Sequence, residues 1–245
     1  MAYQDTDDVS LHGQLVWAEG GGIVGARRPG LILCHTAVGP HDLFLHWRAQ
    51  SLAAEGYCVL IADCLGDDRG AGWDPDWAAP RRQALMDDRS ILVRRMHLAM
   101  KQLVAAPLVD GSRIGAIGFC FGGRAVIDLM RSDPDGLRAV VSFHGILDDH
   151  PLSDGVQRLR SRVLVCHADN DPFVPPEALL SFLNQLRAVG CKFDLQLFGG
   201  SVLHGFTNPA QALNEKPQFD YDEHSARASW EAARLFLQES LQRDA

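Results

Sequence analysis

Apolar runs of strand length alternate with longer stretches of helical spacing along the chain, and this alternation limits the possible folds more than any other feature. Such alternation is typical of a mostly parallel sheet covered by helices on both faces. The predicted strands are residues 11–18, 30–35, 58–63, 113–119, 139–144, 162–167 and 193–198. The predicted helices are residues 41–55, 80–105, 122–131, 176–189 and 223–239. We therefore expect an α/β fold, a three-layer sandwich around a mostly parallel sheet.

The first predicted strand is followed by a Gly-rich stretch, AEGGGIVGARRPG, rather than by a helix. This pattern predicts an antiparallel hairpin between the first two strands, which adds an antiparallel N-terminal strand to the sheet. No linker interrupts the alternation that follows. A chain of 245 residues with 47% hydrophobic side chains can fill one sizeable core, so we expect a single domain over residues 1–245.

Composition and charge exclude several classes of function. A formal net charge of -8 opposes binding to nucleic acid or to an anionic membrane surface. The N-terminal stretch MAYQDTDDVS has neither a basic segment nor an apolar one, so we expect no secretory signal and a cytoplasmic location. The six cysteines form no C-x-x-C pair, which argues against a zinc site and a disulfide framework. We expect no metal and no organic cofactor.

The stretch RIGAIGFCFGGRAV, residues 113–126, passes from a strand directly into a helix through a turn rich in glycine. Its G-x-C-x-G core has the form of a strained turn that exposes a nucleophile at a helix N-terminus. There the helix dipole favours a Cys120 thiolate, and the amide of Phe121 can donate to an oxyanion. A small residue filling a tight turn is the alternative. A dinucleotide loop at this turn is excluded, because the stretch lacks the G-x-G-x-x-G order and no Walker lysine follows it.

A cysteine nucleophile needs a histidine base and an acid that orients it, and both residue types follow later strands. Asp171 comes after the strand at 162–167 and just before a helix that opens with proline, and Asp169 is its rival. His204 follows the strand at 193–198. Three further histidines end predicted strands and suit either structural roles or a metal site: His35, His144 and His167.

The loop after the strand at 30–35 is the expected source of a second oxyanion donor, either Thr36 or Ala37. Aromatic residues on segments that follow strand ends are candidates for an apolar pocket wall: Trp73, Trp77, Phe173 and Phe206. Arg81 or Arg82 is a candidate for one cationic contact to substrate.

With these residues located, the chain resembles the dienelactone hydrolase family of the α/β-hydrolase fold along nearly its whole length. The motifs that carry the resemblance are GFCFGG at 118–123, VSFHG at 141–145, DPFVPP at 171–176, HGFTNP at 204–209 and YDEHSARASW at 221–230. The resemblance implies that Cys120 is the nucleophile, His204 the base and Asp171 the orienting acid. It also implies an oxyanion hole formed by the amides of Phe121 and Ala37.

Two positions depart from the family pattern. Members often carry a Glu directly after the residue that matches His35, where this chain has Thr36. The member that acts on dienelactone uses an Arg shortly after its catalytic His, where this chain has Asn208. An amide holds a carboxylate less well than a guanidinium does, so dienelactone itself is a poor candidate substrate.

The resemblance implies a hydrolase of small carboxylic esters or lactones that works through a thioester intermediate, as a monomer or small homo-oligomer. An acyltransferase or peptidase acting through the same three residues is the first alternative. A non-catalytic small-molecule-binding homologue is the second.

Overall fold

The computed structural model describes residues 1–5, 9–19, 26–66 and 75–241. In these ranges the strands are β1 (Ala2–Gln4), β2 (Ser10–His12), β3 (Gln14–Val16), β4 (Arg28–Cys34), β5 (Cys58–Ala62), β6 (Val109–Phe119), β7 (Leu137–Phe143), β8 (Arg162–Ala168) and β9 (Phe193–Phe198). The helices are α1 (Leu43–Ala54), α2 (Pro75–Asp87), α3 (Arg89–Ala105), α4 (Phe121–Arg131), α5 (Pro176–Ala188) and α6 (Glu223–Leu241), with a 3-10 turn at Pro209–Leu213. None of the helices in these ranges combines the length and apolar character needed to cross a membrane.

The central sheet has seven strands in the order β3-β5-β4-β6-β7-β8-β9. Only β3 runs antiparallel to its neighbour, β5. The α/β-hydrolase arrangement and the antiparallel N-terminal strand are therefore confirmed. The carboxyl ends of the parallel strands meet at one edge of the sheet, where ligands bind in folds of this kind.

The predicted pairing of the N-terminal strand is wrong. A hairpin would place the first strand beside the next, but β4 already has parallel partners on both edges, β5 and β6. The predicted strand at 11–18 is also split into β2 and β3 around Gly13. A side chain at Gly13 would place its Cβ 2.9 Å from Leu60 Cδ1, so the chain passes closely over β5 at this point.

Two apolar layers hold the helices to the sheet. Alternate residues of each central strand face opposite sides: Ile32 belongs to the apolar cluster that includes residues of α3, α4 and α5, and Leu31 to the cluster that includes residues of α1 and α6. Burying each such side chain contributes about 1.5–3 kcal/mol relative to leaving it exposed. The three-layer sandwich is thus confirmed, and it fixes the strand ends that carry the site.

A buried ionic cluster fixes α4, the helix that begins at the G-x-C-x-G turn. Arg89 Nε at the start of α3 donates to Asp128 Oδ2 at 2.8 Å, and Arg131 Nη1 donates to Asp128 Oδ1 at 3.0 Å. Asp148 accepts from the same two arginines at 2.7 and 3.2 Å. The Asp128 side chain is shielded from water. Its loss would leave the positive charges of Arg89 and Arg131 balanced by Asp148 alone.

Candidate active site

Cys120 is the single residue between β6 and α4. Its φ of 55° lies in the left-handed region, where a side chain other than glycine is strained. The Cys120 amide donates to the Phe143 carbonyl at the end of β7 at 3.1 Å, which ties the turn to the sheet. The thiol is half-buried at the N-terminus of α4.

The neighbouring glycines allow this turn because a Cβ at either position would collide with backbone. At Gly118 it would lie 1.9 Å from the Gly122 carbonyl oxygen, and at Gly122 it would lie 2.3 Å from the Cys34 carbonyl oxygen. Neither collision can be relieved by a side-chain rotation. The G-x-C-x-G pattern is therefore a consequence of how closely β6, α4 and the end of β4 approach each other.

Asp171 and His204 lie on the loops that follow β8 and β9. His204 Nδ1 donates to Asp171 Oδ2 at 2.7 Å, and both side chains are buried. Asp171 Oδ1 accepts from the Phe173 amide at 2.9 Å, which orients the carboxylate. The rival Asp169 is exposed, and its amide donates to the Phe198 carbonyl at 2.8 Å. Asp171 is therefore the acid that the fold brings to His204.

Interactions between Cys120 and His204 alter the ionisation of both groups. Burial disfavours the thiolate, but the charge of the nearby His204 and the amide of Phe121 together lower the pKa of the Cys120 thiol. Burial also disfavours the imidazolium, but Cys120 and Asp171 raise the pKa of His204 above its ordinary value. Both shifts favour a thiolate beside an imidazolium. Because Nδ1 is held by Asp171, Nε2 is the ring nitrogen left for the thiol, and among the described residues it has no hydrogen-bond partner.

His35 fixes the loop that follows β4 through hydrogen bonds of both ring nitrogens. Cys64 N–H donates to His35 Nε2 at 3.2 Å, so Nδ1 carries the proton and donates to the Thr36 carbonyl at 2.6 Å. The His35 ring also stacks on Phe121 with 5.7 Å between ring centroids. These contacts fix the position of half-buried Thr36 and Ala37 relative to the start of α4.

Two aromatic rings meet the edge of His204. The Phe173 ring lies 4.8 Å from the His204 ring and is 44% exposed, as a pocket wall requires. Phe219 lies 5.5 Å from His204 and 5.5 Å from Phe173. Its segment also carries Asp220, whose amide donates to the His204 carbonyl at 3.3 Å. Sequence reasoning missed Phe219, because its only signal is a place in an aperiodic segment after a strand end.

Other predicted pocket residues are placed differently. Phe206 is fully buried against His144 and Phe198, so it packs the core and is wrong as a pocket wall. Asn208 Oδ1 accepts from the Ala210 amide at 3.0 Å and caps the 3-10 turn, which uses its side chain within its own loop.

The two remaining pocket candidates are Arg81 and Trp73. Arg81 Nη1 donates to the Trp77 carbonyl at 3.4 Å, and its guanidinium lies 5.0 Å from the centre of the Trp77 ring. Trp73 lies outside the described residues.

The remaining strand-end histidines are buried, and their environments keep them neutral. Burial and the nearby charges of His204 and His167 hold the pKa of His144 well below its ordinary value. Burial lowers the pKa of His167 as well. Within the described parts of the chain, no three His, Cys, Asp or Glu side chains are grouped so that they could hold a metal ion.

A cavity of about 1010 Å³ lies at the opposite edge of the sheet, away from Cys120. Arg158, Arg160 and Lys192 are among its lining residues. Arg160 is paired with Asp133 at 2.7 Å and with Asp135 at 2.6 Å, so part of this positive charge is already neutralised. The cavity is therefore separate from the cysteine, histidine and aspartate described above.

Comparison with known proteins gives a consistent result. The model of the dienelactone hydrolase family matches residues 21–241. The human carboxymethylenebutenolidase homolog is 32% identical over 169 residues, which cover 65% of this chain and 63% of that one. A probable 2-oxo-3-(5-oxofuran-2-ylidene)propanoate lactonase from a Bradyrhizobium species is 23% identical over 227 residues, covering 88% and 85% of the two chains.

Among solved structures, the chain is similar to the dienelactone hydrolase-like promiscuous phosphotriesterase P91 from metagenomic libraries. The two are 32% identical and superpose with a TM-score of 0.89 over 98% of this chain and 97% of that one. The region matched by the family model contains Cys120, Asp171 and His204.

Proposed function

The chain belongs to the dienelactone hydrolase family and is a hydrolase, and from this premise we propose that it cleaves small carboxylic esters or lactones through Cys120, His204 and Asp171. One observation carries the proposal: a thiol of lowered pKa stands beside a histidine whose other nitrogen is bonded to a buried carboxylate at 2.7 Å. This is the arrangement that activates a nucleophile for acyl transfer.

In the first half-reaction the Cys120 thiolate attacks the carbonyl carbon of the substrate. The carbonyl π electrons move to oxygen, and the amides of Phe121 and Ala37 hold the resulting oxyanion. The intermediate then collapses: the carbon–oxygen bond to the leaving group breaks, and the alkoxide takes a proton from the His204 imidazolium. A thioester on Cys120 remains. In a lactone the released hydroxyl stays attached to the acyl chain.

In the second half-reaction neutral His204 takes a proton from water as the water attacks the thioester. The oxyanion forms again and collapses, this time expelling the Cys120 thiolate and releasing the carboxylic acid. Asp171 stays ionised and stabilises the imidazolium in both halves. It also keeps the proton on Nδ1, so that Nε2 faces the reacting atoms.

The surroundings of the site support an uncharged substrate. Phe173 and Phe219 are apolar, and Asn208 is engaged as a helix cap where the dienelactone enzyme has an arginine. An apolar wall, with an amide at the place of that arginine, favours a neutral ester or lactone over a carboxylate. The Bradyrhizobium relative, described as a probable lactonase, is in keeping with this class.

Phosphotriester hydrolysis is a second candidate, favoured by the similarity to phosphotriesterase P91. A phosphotriester is also uncharged. The same thiolate can displace an aryl oxide from phosphorus, and His204 then protonates the departing aryl oxide. Water would then release the phosphoryl group from Cys120. The two candidates use the same nucleophile, so one set of variants tests both.

The experiment compares wild type, Cys120→Ala and Cys191→Ala on p-nitrophenyl acetate, a five-membered lactone and an aryl phosphotriester. Cys191 is a buried cysteine whose thiol contacts the Ser161 carbonyl at 3.5 Å, and it serves as the matched control. We expect Cys120→Ala to lose about 10³-fold or more in kcat/KM and Cys191→Ala to keep its activity. Mass spectrometry after rapid acid quench should find the acyl group on Cys120. Turnover by Cys120→Ala at the wild-type rate would refute the proposal.

A further inference from the structure

Thr207, three residues after His204, is buried and is held through both its side chain and its backbone. Its Oγ1 lies 2.8 Å from His144 Nε2, and its carbonyl accepts from Arg48 Nη2 at 3.3 Å. The two partners belong to different elements, the end of β7 and helix α1. Thr207 therefore ties the histidine loop to the sheet and to a helix at once.

Arg48 is a rigid donor to this loop. Its guanidinium lies 4.2 Å from the ring centre of Trp47 and 4.2 Å from that of Trp230, so it is stacked between two indoles. Burial lowers the pKa of Arg48 to about 10, and the group stays charged at neutral pH. A planar guanidinium held in this way has little freedom to follow a moving carbonyl.

His144 connects Thr207 to the ring of His204. The His144 ring meets the His204 ring edge-on, with 5.1 Å between centroids and 66° between planes. The backbone of His144 is strained at φ 38°, and its amide donates to the Cys166 carbonyl at 2.8 Å. Strain of this kind persists only where the surroundings fix the residue firmly. His144 is thus a fixed surface against which His204 rests.

We propose that Thr207 and His144 are positioning residues, whose mutual hydrogen bond keeps His204 Nε2 directed at Cys120 while Nδ1 stays on Asp171. The inference rests on the proposed function. A displacement of about 1 Å at a catalytic group costs about 10²-fold in rate, so one buried hydrogen bond at this place has a large effect on turnover. It has a smaller effect on substrate binding, because neither side chain belongs to the pocket wall.

The reactivity of the thiol reports this geometry directly. The titratable groups around His204 are Cys120, Asp171, His144 and His167. Of these four groups Cys120 is the thiol, so it is the one that we expect iodoacetamide to alkylate at near-neutral pH. If His204 turns away, the thiolate loses its partner and the pKa of Cys120 rises.

The test compares Thr207→Val, which removes the hydroxyl at nearly constant shape, with Thr207→Ser, which keeps it. We expect Thr207→Val to lower kcat about 10-fold or more with KM changed less than about 2-fold, and to shift the alkylation midpoint to higher pH. Thr207→Ser should restore most of kcat and the wild-type midpoint. Equal losses in both variants, or a wild-type kcat and midpoint in Thr207→Val, would overturn the inference.

His144→Phe provides a second route to the same answer if Thr207→Val does not fold. It keeps a ring against His204 but cannot bond to Thr207. Where Thr207→Val does fold, the double variant His144→Phe/Thr207→Val should lose no more activity than the more damaged of the two single variants, because one interaction is removed once. Additive losses would contradict the coupling.

The alkylation readout separates this inference from the proposed function, since it requires no substrate. If Thr207→Val keeps the wild-type kcat and alkylation midpoint while Cys120→Ala is inactive, the inference is refuted and the proposed function stands. An active Cys120→Ala removes the proposed function whatever Thr207 does.

Discussion

His204 and Asp171 share a hydrogen bond of 2.7 Å between Nδ1 and Oδ2, in a place where neither side chain meets water. The pairing joins the ends of two neighbouring strands, β8 and β9, across 33 residues of sequence. Because the carboxylate accepts only, it fixes the tautomer of His204 and leaves Nε2 for the thiol.

Replacing Asp171 with Asn should therefore abolish most of the activity while preserving the fold. The amide N–H₂ can face Nδ1 and stabilise the wrong tautomer, and it no longer stabilises the imidazolium. We expect kcat to fall about 10³-fold or more. Asp169→Asn, on the exposed neighbouring carboxylate, is the matched control and should stay within about 2-fold in kcat. Similar losses in both variants would show that the acid has been misassigned.

The pH dependence of thiol alkylation follows from the lowered pKa of Cys120. A lowered pKa means that the thiolate persists as the pH falls, and that reactivity is lost only when the pH drops through the lowered value. We expect the midpoint of the iodoacetamide rate to lie below the ordinary thiol value of about 8.5. Peptide mapping should show Cys120 modified ahead of Cys64, which is buried and whose pKa is well above its ordinary value. A midpoint at or above about 8.5 would contradict the proposed ion pair.

The turn at Cys120 should not tolerate a side chain at Gly118. Because the added Cβ would meet the Gly122 carbonyl oxygen at 1.9 Å, Gly118→Ala should reduce the free energy of unfolding by about 3 kcal/mol or more. Gly199→Ala, where no heavy atom lies within 4 Å of the new Cβ, should change it by less than about 0.5 kcal/mol. Urea unfolding followed by circular dichroism measures both. Equal stabilities would mean that the turn relaxes more easily than its packing indicates.

The ionic cluster under α4 predicts a large difference between two aspartates. Asp128→Ala leaves buried Arg89 and Arg131 with Asp148 as their common acid, and we expect a loss of about 3 kcal/mol in the free energy of unfolding. Asp194→Ala removes an exposed pair with Arg162 at 3.4 Å and should cost less than about 0.5 kcal/mol. Thermal unfolding of the two variants side by side would decide, and a mild effect at Asp128 would rule out a structural role for the cluster.

Local sequence is sufficient to predict the start or end of a helix or strand where residues of that element itself determine it. The predicted strand at 193–198 coincides with β9, and the predicted start of α5 at Pro176 is confirmed. In the first, a period-two pattern ends at Gly-Gly; in the second, proline fixes the first turn of the helix. The strand ends that carry Cys120, Asp171 and His204 can therefore be located from local sequence patterns alone.

Tertiary contacts decide the rest. The predicted helix at 80–105 is two helices, α2 and α3, which separate at Asp88. Asp88 caps α3 by accepting from the Ser90 amide at 3.0 Å, and the adjacent Arg89 reaches across to Asp128 on α4. Helical propensity is similar on both sides of the break, so only the distant partner shows why the helix is interrupted here.

The parts of the site that the sequence does not reveal depend on pairs far apart in the chain. Thr207 meets His144 across 63 residues, and Phe219 reaches His204 from a segment with no periodicity. Nothing in a threonine or phenylalanine distinguishes such a residue locally. Phe206 illustrates the converse, since its place two residues after His204 predicts a pocket wall, whereas its side chain is turned into the core.

The amides of Cys120 and His144, both in strained conformations, are tied to carbonyls at the ends of β7 and β8. The thiol of Cys120 is consequently anchored to the central sheet by backbone hydrogen bonds. Phe173 and Phe219, by contrast, lie on connecting segments outside the nine strands. Directed evolution of this chain should therefore accept apolar replacements at Phe173 and Phe219 while Asp171 and His204 are kept, changing which compounds are turned over without relocating the sulfur.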